Sequence, residues 1–350
     1  MGMELVKKNY NGLDLGKFLC ALLILFYHYF SEHGPIHPLF EDFLSLYAVA
    51  VALFMVISGF LTFNKIETVD NTKERWRIVA NQVKRILTVY ALWSVPYLIY
   101  QIATWEWSTI SFGFVFQELQ RWIFSSSFYT IWFLPSLAVG LILAFWITEK
   151  LPIWLAAVIG VVLYVISALM QSYSFIGNQI PLFKYFVEFC NTWLGGSRGW
   201  LVFATPLLML GKLVVNIKNK IRLSLSFVLS ILFMGALLCE AIIIRSSVGG
   251  MGVDATVMLI PAITFITCFL LNFTLPNGSY LIWMRKMSVL IFVSQRIFLT
   301  VLPTILPAAF STFVFANAYM GCVIICGSTI VFCAAIILLS KKFNYLKKLY

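Results

Sequence analysis

The sequence predicts an all-α fold, a polytopic membrane helix bundle with about ten transmembrane helices. Of its 350 residues, 61% are hydrophobic and only 11% are charged, and 32 are phenylalanine. Soluble domains are typically about 45–50% apolar and about 25% charged, so a water-soluble globule of this composition would be unable to cover its surface. The composition therefore excludes soluble enzymes, secreted disulfide scaffolds and disordered chains.

Ten segments are apolar over the length that a membrane helix requires, about 17–25 residues. In chain order they are 15–31, 43–63, 86–104, 130–148, 152–171, 199–216, 223–244, 254–274, 287–306 and 313–340. The segments follow one another without a soluble insertion or an internal repeat. We therefore expect a single membrane domain over residues 1–350.

The basic residues indicate the orientation of the bundle. Most of the 25 Lys and Arg residues fall in the N-terminal segment, in alternate connections and in the C-terminal segment. Cytoplasmic loops carry an excess of Lys and Arg, so we expect a multi-pass plasma-membrane protein with both termini in the cytoplasm. Because the basic residues alternate with apolar segments, the formal charge of +11 does not indicate nucleic-acid binding.

Two connections have the periodicity of amphipathic helices. Residues 75–90 combine an apolar stripe with basic residues and lead into the third span. Residues 112–123 form a similar stripe in an outer connection. The seven cysteines are an odd number, lie in or near apolar segments and predict free buried thiols. No metal site is expected.

The first span carries three ionisable residues, Asp14, Lys17 and His28. Charged groups inside a membrane are costly, so each one is a functional hypothesis. Lys17 and His28 share a helical face and lie roughly 16 Å apart along the axis. Glu32, one turn beyond His28, is placed to orient the imidazole as a general base. Alternatively, Lys17 pairs with Asp14 and reaches lipid phosphates, and His28 lies at the interface.

Further polar side chains occur at the outer ends of the later spans. We expect them to line an extracytoplasmic-side pocket together with His28. The members are Trp132, Arg198, Glu240, Asp254, Gln295 and Arg296. Alternatively, Arg198, Glu240 and Asp254 are charges at loop edges that face water. The water-facing position is favoured for Asp254, and the pocket is favoured for Glu240 and Arg296.

Several short motifs, in their order and spacing, resemble the acyltransferase-3 family of integral membrane acyltransferases. They are the Lys17–His28 spacing, the Ser58-Gly59 break in LFMVISGFL, the Lys84-Arg85 pair, and Trp132-Phe133-Leu134 at the start of span four. With the ten spans, the resemblance covers nearly the whole chain.

A narrower similarity lies in the second half. Residues 197–211, Glu240 and residues 254–261 resemble the membrane domain of the membrane-bound serine racemases of vancomycin resistance, which belongs to the same superfamily. A soluble pyridoxal-phosphate racemase domain follows in those proteins. Because this sequence ends at Tyr350, we expect no racemisation from it.

The resemblance implies transfer of an acyl group, usually acetyl, from cytoplasmic acyl-CoA to a hydroxyl or amine of an extracytoplasmic acceptor. That acceptor is a small molecule or, commonly, a surface glycan. His28 would deprotonate the acceptor, and Lys17 would contact the donor. Lys84 and Arg85 would bind the anionic CoA, with anionic membrane lipids as their alternative partners. Acetyl-CoA would be a co-substrate, and no tightly bound cofactor is expected.

This sequence departs from the family pattern at three positions. Lys17 replaces an arginine and lacks its bidentate fork, and Thr130 and Gln295 stand where many members have histidine. The second hypothesis is a transporter or binding module for a small amino acid such as serine, because Arg198, Glu240 and Asp254 suit a zwitterion. Matched pairs of broken helices, which are typical of inverted transporter repeats, are not evident.

Overall fold

The computed structural model describes residues 10–33, 43–44, 46–108, 110–128, 130–248, 254–307, 312, 314–315 and 317–350. Every regular element in these ranges is helical, which confirms the predicted all-α membrane bundle. The α-helices are α1 Asn11–Glu32, α2 Tyr47–Ile66, α3 Thr72–Ala103, α4 Phe112–Phe124, α5 Phe133–Lys150, α6 Ile153–Met170, α7 Ser174–Gly177, α8 Pro181–Trp193, α9 Thr205–Ile217, α10 Leu223–Val248, α11 Leu259–Asn272, α12 Ser279–Arg296, α13 Leu302–Ile305 and α14 Ala318–Leu339. Short 3₁₀ turns cover Thr130–Trp132, Gly196–Arg198 and Asn344–Leu349, and π-helical turns cover Trp200–Ala204 and Ile297–Val301.

Nine helical segments within the described ranges are long and apolar enough to cross a membrane, and they correspond to nine of the ten predicted spans. The predicted span over 254–274 contains the shorter α11, which has 14 residues. At 1.5 Å per residue, α11 is about 21 Å long, less than the thickness of a bilayer core. It packs inside the bundle against α1, α2 and α10.

The predicted amphipathic segments are helices. Residues 75–90 lie in α3, a single 32-residue helix that continues without a break through the third predicted span. Residues 112–123 lie in α4, which has no buried residue.

Helices α1 and α12 pack side by side and run in the same direction. At one end, Arg285 donates to the two carboxylate oxygens of Asp14 at 2.8 and 2.6 Å. At the other end, Arg296 forms an ion pair with Glu32. Each helix therefore carries a charged group near both of its ends, and the two ion pairs fix the alignment of α1 against α12.

Helices α2 and α9 approach each other closely at two glycines. A Cβ atom at Gly59 would lie 2.4 Å from the carbonyl oxygen of Leu208, and one at Gly211 would lie 2.5 Å from the amide nitrogen of Phe60. Both contacts are with backbone atoms, which have no rotamer by which to move away. The Ser58-Gly59 motif thus has a packing role, since only small residues allow membrane helices to come this close.

We expect Gly211→Ala to destabilise the protein by about 1–3 kcal/mol, because the added methyl group forces α2 and α9 apart. The matched control is Gly235→Ala in α10, where an added Cβ meets no atom within 4 Å. Thermal unfolding of both variants in detergent checks this expectation. Equal melting temperatures for the two variants would contradict the proposed close packing.

Candidate active site

A small cavity of about 30 Å³ surrounds one face of His28. We call it the His28 cavity, and its walls come from α1, α2, the 3₁₀ turn before α5, the π-helical turn before α9, and α12. Its lining residues are Ile24, His28, Tyr47, Ala48, Val51, Thr130, Trp132, Arg198, Phe203, Asp254 and Phe292. Four of the residues expected in one pocket therefore lie together, namely His28, Trp132, Arg198 and Asp254.

Arg296 connects His28 to Glu32. Its Nη2 atom lies 3.2 Å from Nδ1 of His28, and its Nη1 atom pairs with Glu32 and lies 3.5 Å from the Thr300 hydroxyl. A guanidinium group only donates hydrogen bonds, so Nδ1 of His28 is the acceptor. The neutral ring then carries its proton on Nε2.

Glu32 therefore contacts Arg296, whereas the sequence hypothesis placed this carboxylate directly on His28. Glutamate and histidine lie one turn apart on α1, but the buried arginine of α12 enters between them. Arg296 thus bridges the carboxylate and the imidazole. Glu32 is thus a positioning residue in this structure.

A second ion pair forms the opposite part of the cavity wall. Arg198 pairs with Asp254, and Tyr47 donates its hydroxyl hydrogen to the same carboxylate. Asp254 is only 5% exposed, whereas the sequence favoured a water-facing position. The ring of Tyr47 stacks on Tyr27 at 3.6 Å. The cavity therefore presents both signs of charge beside a flat aromatic surface.

Thr130 contributes a further polar atom to the His28 cavity. Its side chain is 4% exposed, and its hydroxyl group has no hydrogen-bond partner among the described residues. Burial of a hydroxyl group without a hydrogen-bond partner destabilises the folded protein. A bound molecule with a polar group would supply the missing partner.

Three residues that the sequence assigned to this pocket do not line the His28 cavity, namely Glu240, Gln295 and Arg296, although Arg296 still contacts His28. Glu240 accepts hydrogen bonds at 2.8 Å from the amides of Val257 and Met258, just before α11, and one from the Tyr173 hydroxyl. Burial and the contact with Glu240 raise the pKa of Tyr173. Gln295 is fully buried and donates to the carbonyl oxygen of Phe292 at 2.9 Å. Glu240 thus anchors the segment that carries Asp254.

A larger cavity of about 110 Å³ lies toward the Lys17 end of α1. We call it the Lys17 cavity. It is lined by Lys17, Phe54, Ser58, Gln82, Arg85, Ile86, Val89, Phe133, Leu134, Leu137, Ser288, Val289, Phe292, Val293 and Tyr350. Phe292 lines both cavities, so the two lie in succession within the bundle.

Lys17 and Arg85 are the cationic residues of the Lys17 cavity. Asp14, the partner that the alternative hypothesis gave to Lys17, forms its ion pair with Arg285, but it also interacts electrostatically with Lys17. Lys17 has no ion pair or hydrogen bond within the part of the chain that the structure describes. Lys84 faces a separate groove of α3 that also contains Trp76 and Ile142. Adjacent helical residues point about 100° apart, which separates Lys84 from Arg85.

Tyr47 and Phe292 line the site, although the sequence does not single them out. Tyr47 is one of 15 tyrosines and Phe292 one of 32 phenylalanines, so neither residue type distinguishes them. The π-helical turns that follow Arg198 and Arg296 also escaped prediction. Such turns are frequent at functional sites, but hydrophobic periodicity does not reveal them.

Comparison with known proteins assigns the chain to a family. A family model described as an acyltransferase domain, acyltransferase-3, matches residues 10–339. An amino-acid racemase of Enterococcus faecalis is 26% identical over 231 residues, which cover 65% of this chain and 32% of the relative. A serine/alanine racemase of Enterococcus gallinarum is 27% identical over 240 residues, which cover 66% and 32% respectively.

The chain spans about a third of the length of these curated relatives. No solved structure matches it significantly. The family match, by contrast, extends over nearly the whole sequence and includes every lining residue of the two cavities except Tyr350. The chain therefore belongs to the acyltransferase-3 family and is a multi-pass membrane acyltransferase.

Proposed function

We propose that this acyltransferase moves an acetyl group from cytoplasmic acetyl-CoA to a hydroxyl or amine of an extracytoplasmic acceptor, a glycan of the cell surface. The observation that carries the proposal is the succession of two cavities that meet at Phe292, with cations in one and an imidazole in the other. On this proposal the protein lies in the plasma membrane with both termini in the cytoplasm. The distribution of Lys and Arg supports that orientation.

The donor would bind at the Lys17 cavity. Lys17 and Arg85 provide positive charge for the phosphates of CoA. The cavity of about 110 Å³ is smaller than the 300–1,000 Å³ typical of ligand pockets. On this proposal only the thioester end of the donor enters the cavity, and the phosphates of its nucleotide reach Lys17 and Arg85 from the cavity mouth.

The transfer step would take place in the His28 cavity. The acceptor oxygen or nitrogen attacks the thioester carbonyl carbon, and its proton passes to Nδ1 of His28. The carbon–sulfur bond then breaks, and CoA leaves as a thiolate that takes up this proton. For Nδ1 to accept the proton, Arg296 must release it, and the contacts with Glu32 and Thr300 hold the guanidinium group when it does so.

The His28 cavity is too small for a whole sugar, so only the reacting hydroxyl or amine of the acceptor would enter it, at the other wall. Arg198, Asp254 and the buried hydroxyl of Thr130 offer donors and acceptors for a polyhydroxylated molecule. Trp132 and Tyr47 add aromatic surface. This combination of polar groups and aromatic rings supports a sugar as the acceptor.

The test of the proposal measures acetyl transfer to the cell envelope. Cells with and without the protein receive radiolabelled acetate, and the washed envelope is treated with mild alkali. Label that appears only in cells with the protein and is released by alkali indicates an ester. Label that appears only in cells with the protein and resists alkali indicates an amide. Equal label in both fractions, with and without the protein, would contradict the proposed transfer.

The second candidate is a transporter or binding module for a small amino acid such as serine. The buried Arg198–Asp254 pair favours it, since opposite charges suit the carboxylate and ammonium groups of a zwitterion. The serine/alanine racemase of E. gallinarum, to which the chain is similar, supports the same ligand class. Uptake of labelled serine by the same cells distinguishes this candidate from acetyl transfer.

We expect Lys17→Met to raise the KM for acetyl-CoA about tenfold, because one charge-assisted contact with a phosphate is lost. Lys17→Arg keeps the charge and is expected to keep the KM near that of the wild type. Initial rates in membrane vesicles over a range of acetyl-CoA concentrations provide the measurement. Lys150→Met, at an exposed lysine that ends α5, is the control. An unchanged KM in Lys17→Met would assign Lys17 to lipid binding.

A further inference from the structure

Three phenylalanine rings lie where the two cavities meet. Phe133 and Phe292 have ring centroids 5.1 Å apart, and Phe54 lies 6.1 Å from each of them. They come from α5, α12 and α2, and each is at most 8% exposed. We call this group the phenylalanine layer.

The neighbours of these residues along each helix show that the layer lies between the cavities. On α2, Tyr47 and Val51 line the His28 cavity, whereas Ser58 lines the Lys17 cavity. Before and within α5, Trp132 lines the His28 cavity and Leu134 the Lys17 cavity. An acyl group that travels from the donor cations to His28 must therefore pass the layer.

The space beyond the layer is small. A cavity needs about 10–15 Å³ to hold one water molecule, so the 30 Å³ of the His28 cavity corresponds to two or three such volumes. An acetyl group fits this space, with its carbonyl carbon beside His28. A longer chain has to displace the rings that close the cavity.

We propose that the phenylalanine layer limits the transferred acyl group to about two carbons and that Phe292 is the specificity-determining residue. The inference rests on the proposed acyltransferase function and deepens it by naming the residue that selects the length of the acyl chain. Phe54 and Phe133 line the Lys17 cavity only, whereas Phe292 lines both. Shortening Phe292 therefore joins the two cavities directly.

The experiment compares acyl-CoA donors of two lengths in inverted membrane vesicles. Vesicles that contain the wild type or Phe292→Ala receive acetyl-CoA or hexanoyl-CoA labelled in the acyl group, and label bound to the washed vesicles is counted. We expect the hexanoyl-to-acetyl ratio to rise roughly tenfold or more in Phe292→Ala, the range that pocket size gives for added methylenes.

Phe145→Ala is the matched control. Phe145 is also buried in the bundle, at 1% exposure, but it packs edge-on against Trp76 and lines neither cavity. Its ratio is expected to equal that of the wild type. Phe292→Leu and Phe292→Trp extend the test with milder changes of volume, in case Phe292→Ala does not accumulate. We expect the hexanoyl-to-acetyl ratio to be highest in Phe292→Leu, intermediate in the wild type and lowest in Phe292→Trp.

The outcomes separate the two proposals. Acetyl transfer by the wild type with one common ratio in all Phe292 variants would overturn the role of the layer and leave the acyltransferase function intact. A wild type that transfers neither acyl group would contradict the proposed function itself. A ratio that rises equally in Phe145→Ala would show a general loosening of the bundle and would also overturn the assignment of Phe292.

Discussion

Acetyl transfer is expected to fall by about 10²–10⁴-fold when His28 is replaced by alanine, the range in which general bases contribute to catalysis. The variant removes the proton acceptor from the His28 cavity. Label released from the washed envelope by mild alkali measures the loss. Because the truncated side chain leaves space next to Arg296, added imidazole is expected to restore part of the activity.

His33→Ala is the matched control for this experiment. His33 follows the same helix, its Nδ1 atom lies 3.1 Å from the carbonyl oxygen of Tyr29, and its ring stacks on Phe315. It does not line either cavity. Full activity in His28→Ala, or an equal loss in both variants, would remove His28 from the mechanism.

The second large effect is expected at Arg296, which positions His28. Arg296→Gln should lower kcat about 10²-fold, since small misplacements of a catalytic group have effects of that size. The KM for acetyl-CoA should stay unchanged, because Arg296 does not line the Lys17 cavity. Arg296→Lys keeps the charge for Glu32 but lacks the fork that reaches His28 at the same time. We expect it to recover only part of kcat.

Arg285→Gln provides the comparison for Arg296→Gln. It removes the other arginine that pairs α12 with α1, at the opposite end of the helix. Initial-rate kinetics in vesicles are expected to give a kcat near that of the wild type for this variant. A similar fall of kcat in both would indicate that Arg296 only holds the two helices together.

The helices were largely predictable from the sequence because apolar length is a direct property of it. Clear differences are the starts of α11, at Leu259 rather than at residue 254, and of α12, at Ser279 rather than at residue 287. Glu240 binds the amides of Val257 and Met258, so these residues form a turn that carries Asp254 into the cavity. Side-chain contacts between distant segments decide such boundaries, and a hydropathy pattern does not contain them.

The candidate site was predictable only in part. Depth within a span identified His28, Lys17 and Arg296 as unusual, but it did not reveal which residue each one contacts. Glu32 was expected to contact His28, and the alternative hypothesis paired Lys17 with Asp14. Both contacts lie within one helix, whereas the observed ion pairs join α1 to α12. Partners across helices depend on the rotation of each helix about its axis, which the sequence does not specify.

The phenylalanine layer also bears on the energy supply of the cell. A membrane that holds a potential of 100 mV stores about 2.3 kcal/mol for each elementary charge that crosses it. The layer separates the charged walls of the Lys17 cavity from those of the His28 cavity by closely spaced apolar rings. On the proposed function, the group that passes between the rings is an uncharged acetyl group and dissipates none of this potential, whereas a continuous wet channel would conduct protons. A narrow passage would thus conserve the ion gradient of the cell while carbon crosses the membrane.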